Sequence, residues 1–472
     1  MVFMLAVRQS SALDPDLWWH LQTAKDIVAT RSIPHTDNYS FTKAGSEWIT
    51  HEWLSELLMY AIYRVSGLGG LVLVFSGAIT AAFLIVYHHS AGRPYLAVWA
   101  VMLAALSSTP LFGIRAQMIT LLLASGYLAL LNRFAREGQT RILWWLPPLM
   151  ALWVNLHAGF ALGLGLIALY FFSLALDRKW KLLRPLTLTG LACFLVVPLN
   201  PNGFRIFLYP LQTLTSPSMA ALIDEWLSPD FLQTEFLPLA ALLLLTFAIL
   251  AFAPGRLRLG ELFLLLVTAF GSLRSARHAP IFALVAAPIF ADHLSDLMKT
   301  RGWDKSFARE TYPTGGKLIV RLLLLIVPVS FATFQFWHFV SHQQTYVAQR
   351  NPIAAVDFIE ARRLPGPIYN RYDWGGYLIY RLYPEYRVFV DGRADVYGDD
   401  FLFQVVNTYH GHSGWREPLD RYGIRTVLIS PDVPLASLLR NDPEWQKAYE
   451  DNQAVIFTKV ARTIPGAMRV HL

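Results

Sequence analysis

The sequence predicts a polytopic α-helical membrane protein, with about ten transmembrane helices and a C-terminal extracytoplasmic α/β domain. Three observations lead there. The 472 residues are 54% hydrophobic and only 15% charged, against roughly 25% charged in an ordinary soluble domain. Uncharged stretches of membrane length recur at 67–87, 158–176, 236–253 and 322–340, and a bilayer asks for about 20 apolar residues per helix. From residue 351 onward the apolar runs give way to short alternating helix-like and strand-like segments, the pattern of a small layered α/β unit.

Taken in order, spans are expected near 67–87, 94–109, 114–131, 142–154, 158–176, 185–199, 236–253, 259–273, 279–292 and 319–340. Several carry Pro or Gly, which is tolerated where neighbouring helices satisfy the released backbone groups. The connecting loops sort into two sets. "HHSAGR", "NRFAREGQTR", "DRKWKLLR", "APGRLR" and "KTRGWDKSFARE" hold most of the Lys and Arg, so they are expected in the cytoplasm. The segment before Gly67, "SSTPLFGIRAQ", "NLHAG", "LNPNGFR" through "DEWLSPD", "LRSARH" and everything after Val340 are then expected outside. This sorting accounts for the net charge of +7 without nucleic acid as a partner; the bilayer itself is the partner. The single cysteine, Cys193, excludes an intramolecular disulfide. "MVFMLAV" is too short for a signal core with its flanks or for a span. The domain plan is therefore an outer loop region over 1–66, a transmembrane domain over 67–340 and a soluble domain over 341–472.

In the soluble part, "NPIAAVDFIEARRL", "WGGYLIYRLY", "FLFQVVNTYHG" and "LASLLRNDPEWQKAYE" read as helices, and "GPIYN", "YRVFVDGR", "YGIRTVLIS" and "QAVIFTKV" as strands. The glycines of "DWGGY" and "VDGRADVYG" make no nucleotide-binding fingerprint. Asp391-Gly392-Arg393 reads as a turn after a strand, with contact to an acceptor as the alternative.

The chemistry is concentrated in the expected outer loops. In "LDPDLWWHLQTAKDI", Asp14 before Pro15 reads as a helix N-cap. Winding residues 15–29 as a helix places Leu17, Leu21, Ala24 and Val28 on one side and Asp16, His20, Thr23 and Ile27 on the other. That is an amphipathic helix, with Trp18 and Trp19 suited to the headgroup level. Other ionisable or polar groups expected at the same membrane face are His51, Glu52, Arg115, Asn155, His157, Asp224, Glu225, Arg277 and His278. Such residues gathered at one face suggest a site.

"DPDLWWHLQTAKDI", "IPHTDNYSFT" and "WITHEWLSE" resemble the first outer loop of bacterial integral-membrane glycosyltransferases of the GT-C type, relatives of protein O-mannosyltransferases and of enzymes that add sugars to lipid A. The resemblance continues through "LWVNLHAGF", "LNPNGFR", "IDEWLSPD", "LRSARHAPIF" and "YDWGGYLIYRLYPEYRVFVDGRADVYG", most of the chain. It implies a GT-C-like fold and a polyprenyl-phosphate-linked sugar donor. The acceptor would be an envelope glycan, lipid or protein, and the place of work the bacterial cytoplasmic (inner) membrane. It also implies an inverting reaction with a first-loop acid as general base, here Asp16, with Asp14 second or orienting it. The departing phosphate needs fixed positive charge; Arg277 and His278 are the candidates, with Arg115 and Arg274 behind them. His20, His51, Glu52, Asn155, His157 and Glu225 are candidates for lining the acceptor cavity. His51 and Glu52 could also hold a divalent ion, although two adjacent residues do not supply a full ligand set. The family places a full transmembrane helix before the first loop, where this sequence offers "MVFMLAVRQSSAL". Two other readings compete. A transporter or flippase for a lipid-linked saccharide predicts charges near the midplane and repeat symmetry. A non-catalytic membrane assembly protein would use only its outer domain.

Overall fold

The computed structural model of the chain describes residues 1–90, 94–254, 257–303 and 315–460. Arg93, Arg256 and most of the "KTRGWDKSFARE" loop lie outside the described residues, as do residues 461–472 of the expected outer domain. The polypeptide forms two compact units. One comprises Met1–Asp14, Thr23–Ile33 and Ile49–Tyr346; the other comprises Pro15–Gln22, Pro34–Trp48 and the chain from Val347. The first 66 residues therefore serve both units rather than forming a region of their own.

The helical unit contains α1 (Val2–Ser10), α3 (Trp53–His89), α4 (Pro94–Ser108), α5 (Gln117–Glu137), α6 (Leu146–Leu156), α7 (Phe160–Leu176), α8 (Trp180–Val196), α9 (Leu208–Thr215), α10 (Pro217–Leu222), α11 (Leu237–Phe252), α12 (Leu259–Arg274) and α13 (Ala279–Thr300), then a helix over Gly315–Ser341; α2 (Leu17–Thr30) runs through both units. Each of the ten expected spans coincides with one of these helices, because a long apolar run is a local property of the chain. Among the described residues, six are long and apolar enough to cross a membrane: Trp53–His89, Pro94–Leu111, Gln117–Glu137, Trp180–Leu199, Thr234–Phe252 and Ala276–Thr300. The chain is a multi-pass membrane protein. Burial separates the roles of these helices. Ala276–Thr300 is 67% buried and packs on α4, α11 and α12, whereas Trp180–Leu199 and Thr234–Phe252 are only 17% buried. Their Leu- and Phe-rich outer faces suit lipid rather than water. α3 breaks at Gly67 (φ 62°, ψ −159°), a conformation open to glycine. The apolar span expected from residue 67 begins at this break.

The second unit holds a four-stranded sheet in the order β1-β2-β4-β3, with β1 Ile368–Asn370, β2 Thr426–Ile429, β3 Trp445–Glu450 and β4 Val455–Lys459. β1 and β2 are parallel, and the other neighbours antiparallel. The parallel pair needs a crossover, supplied by helices Gly375–Leu382, Asp399–Tyr409 and Arg416–Arg421. Two expectations are corrected here. "YRVFVDGR" is buried extended chain, not a strand of the sheet. The Asn370 side chain bonds it, accepting from Phe389 N–H (2.8 Å) and donating to Val390 C=O (2.8 Å); the 34–48 segment bonds it too, through Tyr39 and Phe41 backbone to Val388 and the Thr42 hydroxyl to Phe389 C=O (2.7 Å). "LASLLRNDPEWQKAYE" is not one helix. The helix Pro434–Arg440 ends before Pro443, which disfavours helical backbone at Asp442, and the rest becomes β3.

Candidate functional site

Within the helical unit, segments distant in sequence meet where α3, α5, α7 and α13 begin. Helix N-termini carry unsatisfied N–H groups and a partial positive charge, so their convergence favours anions. Arg115 sits just before α5. It contacts the Asp14 carboxylate through Nε and donates from Nη1 to Glu225 Oε2 at 2.7 Å. Arg277, in the turn entering α13, lies 3.6 Å from Glu225 Oε1 and stacks 4.8 Å from the Trp226 ring centre. Gln117 Nε2 donates to Glu225 Oε1 at 3.1 Å. The result is a ladder: Asp14, Arg115, Glu225, Arg277. The 224–227 turn is held in register by Ser275 Oγ, which donates to Glu225 C=O (3.0 Å), and by Ala276 N–H, which donates to Leu227 C=O (2.9 Å).

The ladder's electrostatics are asymmetric. Burial alone would raise the Glu225 carboxyl, but Arg115, Arg277 and the Gln117 amide outweigh it and hold the group down at about 2. Glu225 is therefore a permanent anion and no proton acceptor. The Arg115 and Arg277 side chains keep 29% and 28% of their surface accessible, whereas Asp14 and Glu225 keep 10% and 13%. What the site offers outward is guanidinium.

Beside the ladder lies a second group. His51 Nε2 meets Glu52 Oε1 at 2.7 Å and its Nδ1 meets Ile49 C=O at 3.2 Å; the Tyr209 ring lies over it at 3.8 Å. Both His51 nitrogens thus face oxygen acceptors. His157 is the opposite case. Its Nδ1 accepts from Gly159 N–H (2.9 Å) and from the Thr120 hydroxyl (2.8 Å), so the proton resides on Nε2, which points toward Glu52 at 3.8 Å. Burial lowers this imidazole to about 3, against the pull of Glu52, and it is neutral at physiological pH. Asn155 accepts from Trp53 Nε1 at 3.0 Å and donates to Ala151 C=O at 2.8 Å, tying α6 to the start of α3. Among the described residues, no group of three or more His, Cys, Asp or Glu side chains could hold a metal ion; a divalent ion at His51–Glu52 would need ligands from elsewhere. The His278 Nδ1 is buried without a hydrogen-bond partner among the described residues, Asp224 is exposed, and Arg274 is exposed with its carbonyl accepting from the Ser228 hydroxyl.

Asp16 and His20 belong to the second unit. Asp16, not Asp14, precedes the first turn of α2, and its carbonyl accepts from His20 N–H at 3.2 Å. The expected N-cap at Asp14 is thus corrected: that side chain goes to Arg115. The Asp16 carboxylate lies against Gly392, where a Cβ would fall 1.8 Å from Oδ1, and beside the half-buried Tyr372. Burial first, then the charges of Asp16 and Asp391, push that phenol well above its ordinary range. The expected amphipathic, headgroup-level helix is also corrected. Leu17 through Ala24 are all buried, with Trp18 against Tyr377 (5.4 Å) and Tyr380 (5.3 Å) and Trp19 against Trp48 (6.1 Å). The pair is core, because the second unit supplies aromatic partners that the local sequence does not reveal.

Asp391 and Arg393 are likewise interior, with side chains 0% and 1% exposed. Arg393 donates to both Asp391 oxygens (2.8 and 2.7 Å) and to Asp37 (2.8 Å), between the rings of Tyr39 and Trp48. Contact with an acceptor is excluded for this pair; it fastens the 34–48 segment to the rest of its unit. Sequence reasoning missed Gln117, Trp226 and Tyr209 of the helical site. The first two are one or two residues from Arg115 and Glu225, the only signal available.

ArnT from Cupriavidus metallidurans in the apo state superimposes on the chain with TM-score 0.51 at 15% identity, covering 98% of this chain and 96% of that one. The fold is of the GT-C type. ArnT bound to undecaprenyl phosphate (TM-score 0.48, 14% identity, 98% and 96% covered) and the apo oligosaccharyltransferase of Archaeoglobus fulgidus (TM-score 0.47, 13% identity, 98% and 74% covered) superimpose less closely. No family model matches the sequence, and no curated protein is similar to it.

Proposed function

We propose that the protein is an inverting glycosyltransferase of a bacterial cytoplasmic membrane, moving a sugar from a polyprenyl-phosphate donor to a hydroxyl of an envelope glycan, lipid or protein, with its α/β unit outside. The observation that carries this reading is the accessible Arg115–Arg277 pair, held by one largely buried carboxylate beside the starts of several helices in a GT-C-type fold. Such a pair suits a phosphate at a membrane surface, where guanidinium groups bind oxyanions with two-point geometry. As the acceptor oxygen bonds to the anomeric carbon and the bond to the lipid phosphate breaks, charge accumulates on the departing phosphate. Fixed guanidinium groups stabilise that change without reorganisation. The acceptor proton passes to Asp16, the acid at the start of α2. Asp14 is already engaged by Arg115, so its part is to orient that guanidinium. Replacing Asp16 by Asn is expected to lower transfer of radiolabelled sugar roughly 10²–10⁴-fold, the usual worth of a general base, while membrane insertion and expression stay normal. Undiminished turnover in that variant removes Asp16 from the mechanism.

A further inference from the structure

The α/β unit carries a cleft that the transfer chemistry does not use. It lies between helix Asp399–Tyr409, the loop 410–415 and helix Arg416–Arg421, with a volume of about 340 Å³, inside the range of small-ligand sites. Asp400, Gln404, Asn407, Ser413, Trp415 and Glu417 line it. We infer that this cleft binds a saccharide without anionic groups.

The lining is a set of directional hydrogen-bonding groups around one aromatic ring. A sugar presents the complement: a rim of hydroxyls, each donor and acceptor, around a face of C–H bonds. The half-buried Trp415 indole supplies an apolar plane for that face. The polar groups are partly pre-oriented. Gln404 Nε2 donates to Glu417 Oε2 at 2.7 Å, and Arg421 Nη1 lies 3.8 Å from the other Glu417 oxygen. Asn407 Oδ1 meets His412 Nδ1 at 3.1 Å, which turns the Asn407 amino group to donate elsewhere. The loop is braced from within: His412 N–H donates to Asn407 C=O (2.9 Å), Trp415 N–H to His412 C=O (3.0 Å) and Glu417 N–H to Gly414 C=O (3.0 Å). A braced site loses little on binding. Charge sets the class of sugar. Two carboxylates and no Lys or Arg line the cleft, and the neighbouring cations are both paired, Arg416 with Asp442 and Glu444 and Arg421 with Glu417. Phosphate, sulfate and uronate groups are therefore disfavoured, and neutral or amino sugars favoured.

The test uses the full chain in lipid nanodiscs and saturation-transfer difference NMR, so no transfer reaction enters the readout. The probes are maltopentaose, mannopentaose, cellopentaose and chitopentaose, with tetragalacturonate as the anionic control. At least one neutral oligosaccharide is expected to bind saturably near or below about 1 mM. The variants Trp415→Ala and Asn407→Ala should each weaken it roughly tenfold, the scale of one lost stacking or hydrogen-bonding partner. Asn407→Ala keeps the test informative should Trp415→Ala fail to fold. Absence of binding by every neutral probe, equal affinity in both folded variants, or preference for tetragalacturonate overturns the inference.

Discussion

Asp16 and Gly392 make the most local test of the proposed base. A Cβ at position 392 would fall on the Asp16 carboxylate, the end of a side chain that can turn away, rather than on fixed backbone. Gly392→Ala is therefore expected to reduce transfer roughly tenfold or more while leaving thermal unfolding nearly unchanged; a variant of undiminished activity would mean that the placement of Asp16 is immaterial. His157 gives a second prediction. Its folded-state value is lowered from 6.5 to about 3, so the charged form is disfavoured in the native state. Its contribution to stability is intact above about 6.5 and erodes as pH falls toward 3. In histidine-labelled NMR, His157 should keep its neutral Nε2–H form from neutral pH down to about 4, and protonation near 6 would refute the buried assignment. At this scale the sequence was informative about residue types and silent about partners. Asp14, Arg115, Glu225 and Arg277 each stand out as polar groups beside apolar spans. Yet the Arg115–Glu225 pairing crosses 110 residues, and no local pattern encodes it.

Among the elements, the 224–227 turn is the part that makes two arginines into a site. Glu225 is the anion both share, and its lowered carboxyl means that its stabilisation is complete above about 4.5 and lost as pH falls toward 2. Glu225→Gln should leave two guanidiniums without their common counter-charge. A loss of roughly 1–3 kcal/mol is expected, less than for a fully buried ion pair because both guanidiniums stay partly accessible, together with disappearance of this acid limb from the pH–stability curve of the solubilised protein. A variant as stable as the parent, with the same limb, would show that Glu225 is not the clamp. The helices were legible because apolar run length is written locally, and α3 even breaks at the glycine where its apolar stretch begins. The failures share a cause. Residues 388–390 look like a strand, but the Asn370 side chain and residues 39–42 take their hydrogen bonds; Trp18 and Trp19 look interfacial, but Tyr377, Tyr380 and Trp48 enclose them. In each case a distant partner overrides a local propensity.

For the molecule as a whole, the charge sorting of the loops predicts a definite sidedness. Cys193 is the only cysteine and is buried, so single cysteines can be read in a Cys193→Ala background. With a membrane-impermeant maleimide on intact spheroplasts, a cysteine replacing exposed Ser437 should be labelled and one replacing exposed Gln139 should not. The reverse pattern would invert the proposed orientation. The division of the first 66 residues between two units was not legible, because the Arg393–Asp37 and Trp18–Tyr377 contacts that assign them join opposite ends of the chain. The central claim, that Arg115 and Arg277 receive a lipid phosphate, is tested most directly by equilibrium binding of a polyprenyl phosphate to the protein in nanodiscs. Arg277→Ala should weaken binding roughly tenfold or more, as expected for one lost charge-assisted contact, with normal folding. Equal affinity in the parent and the variant would contradict it.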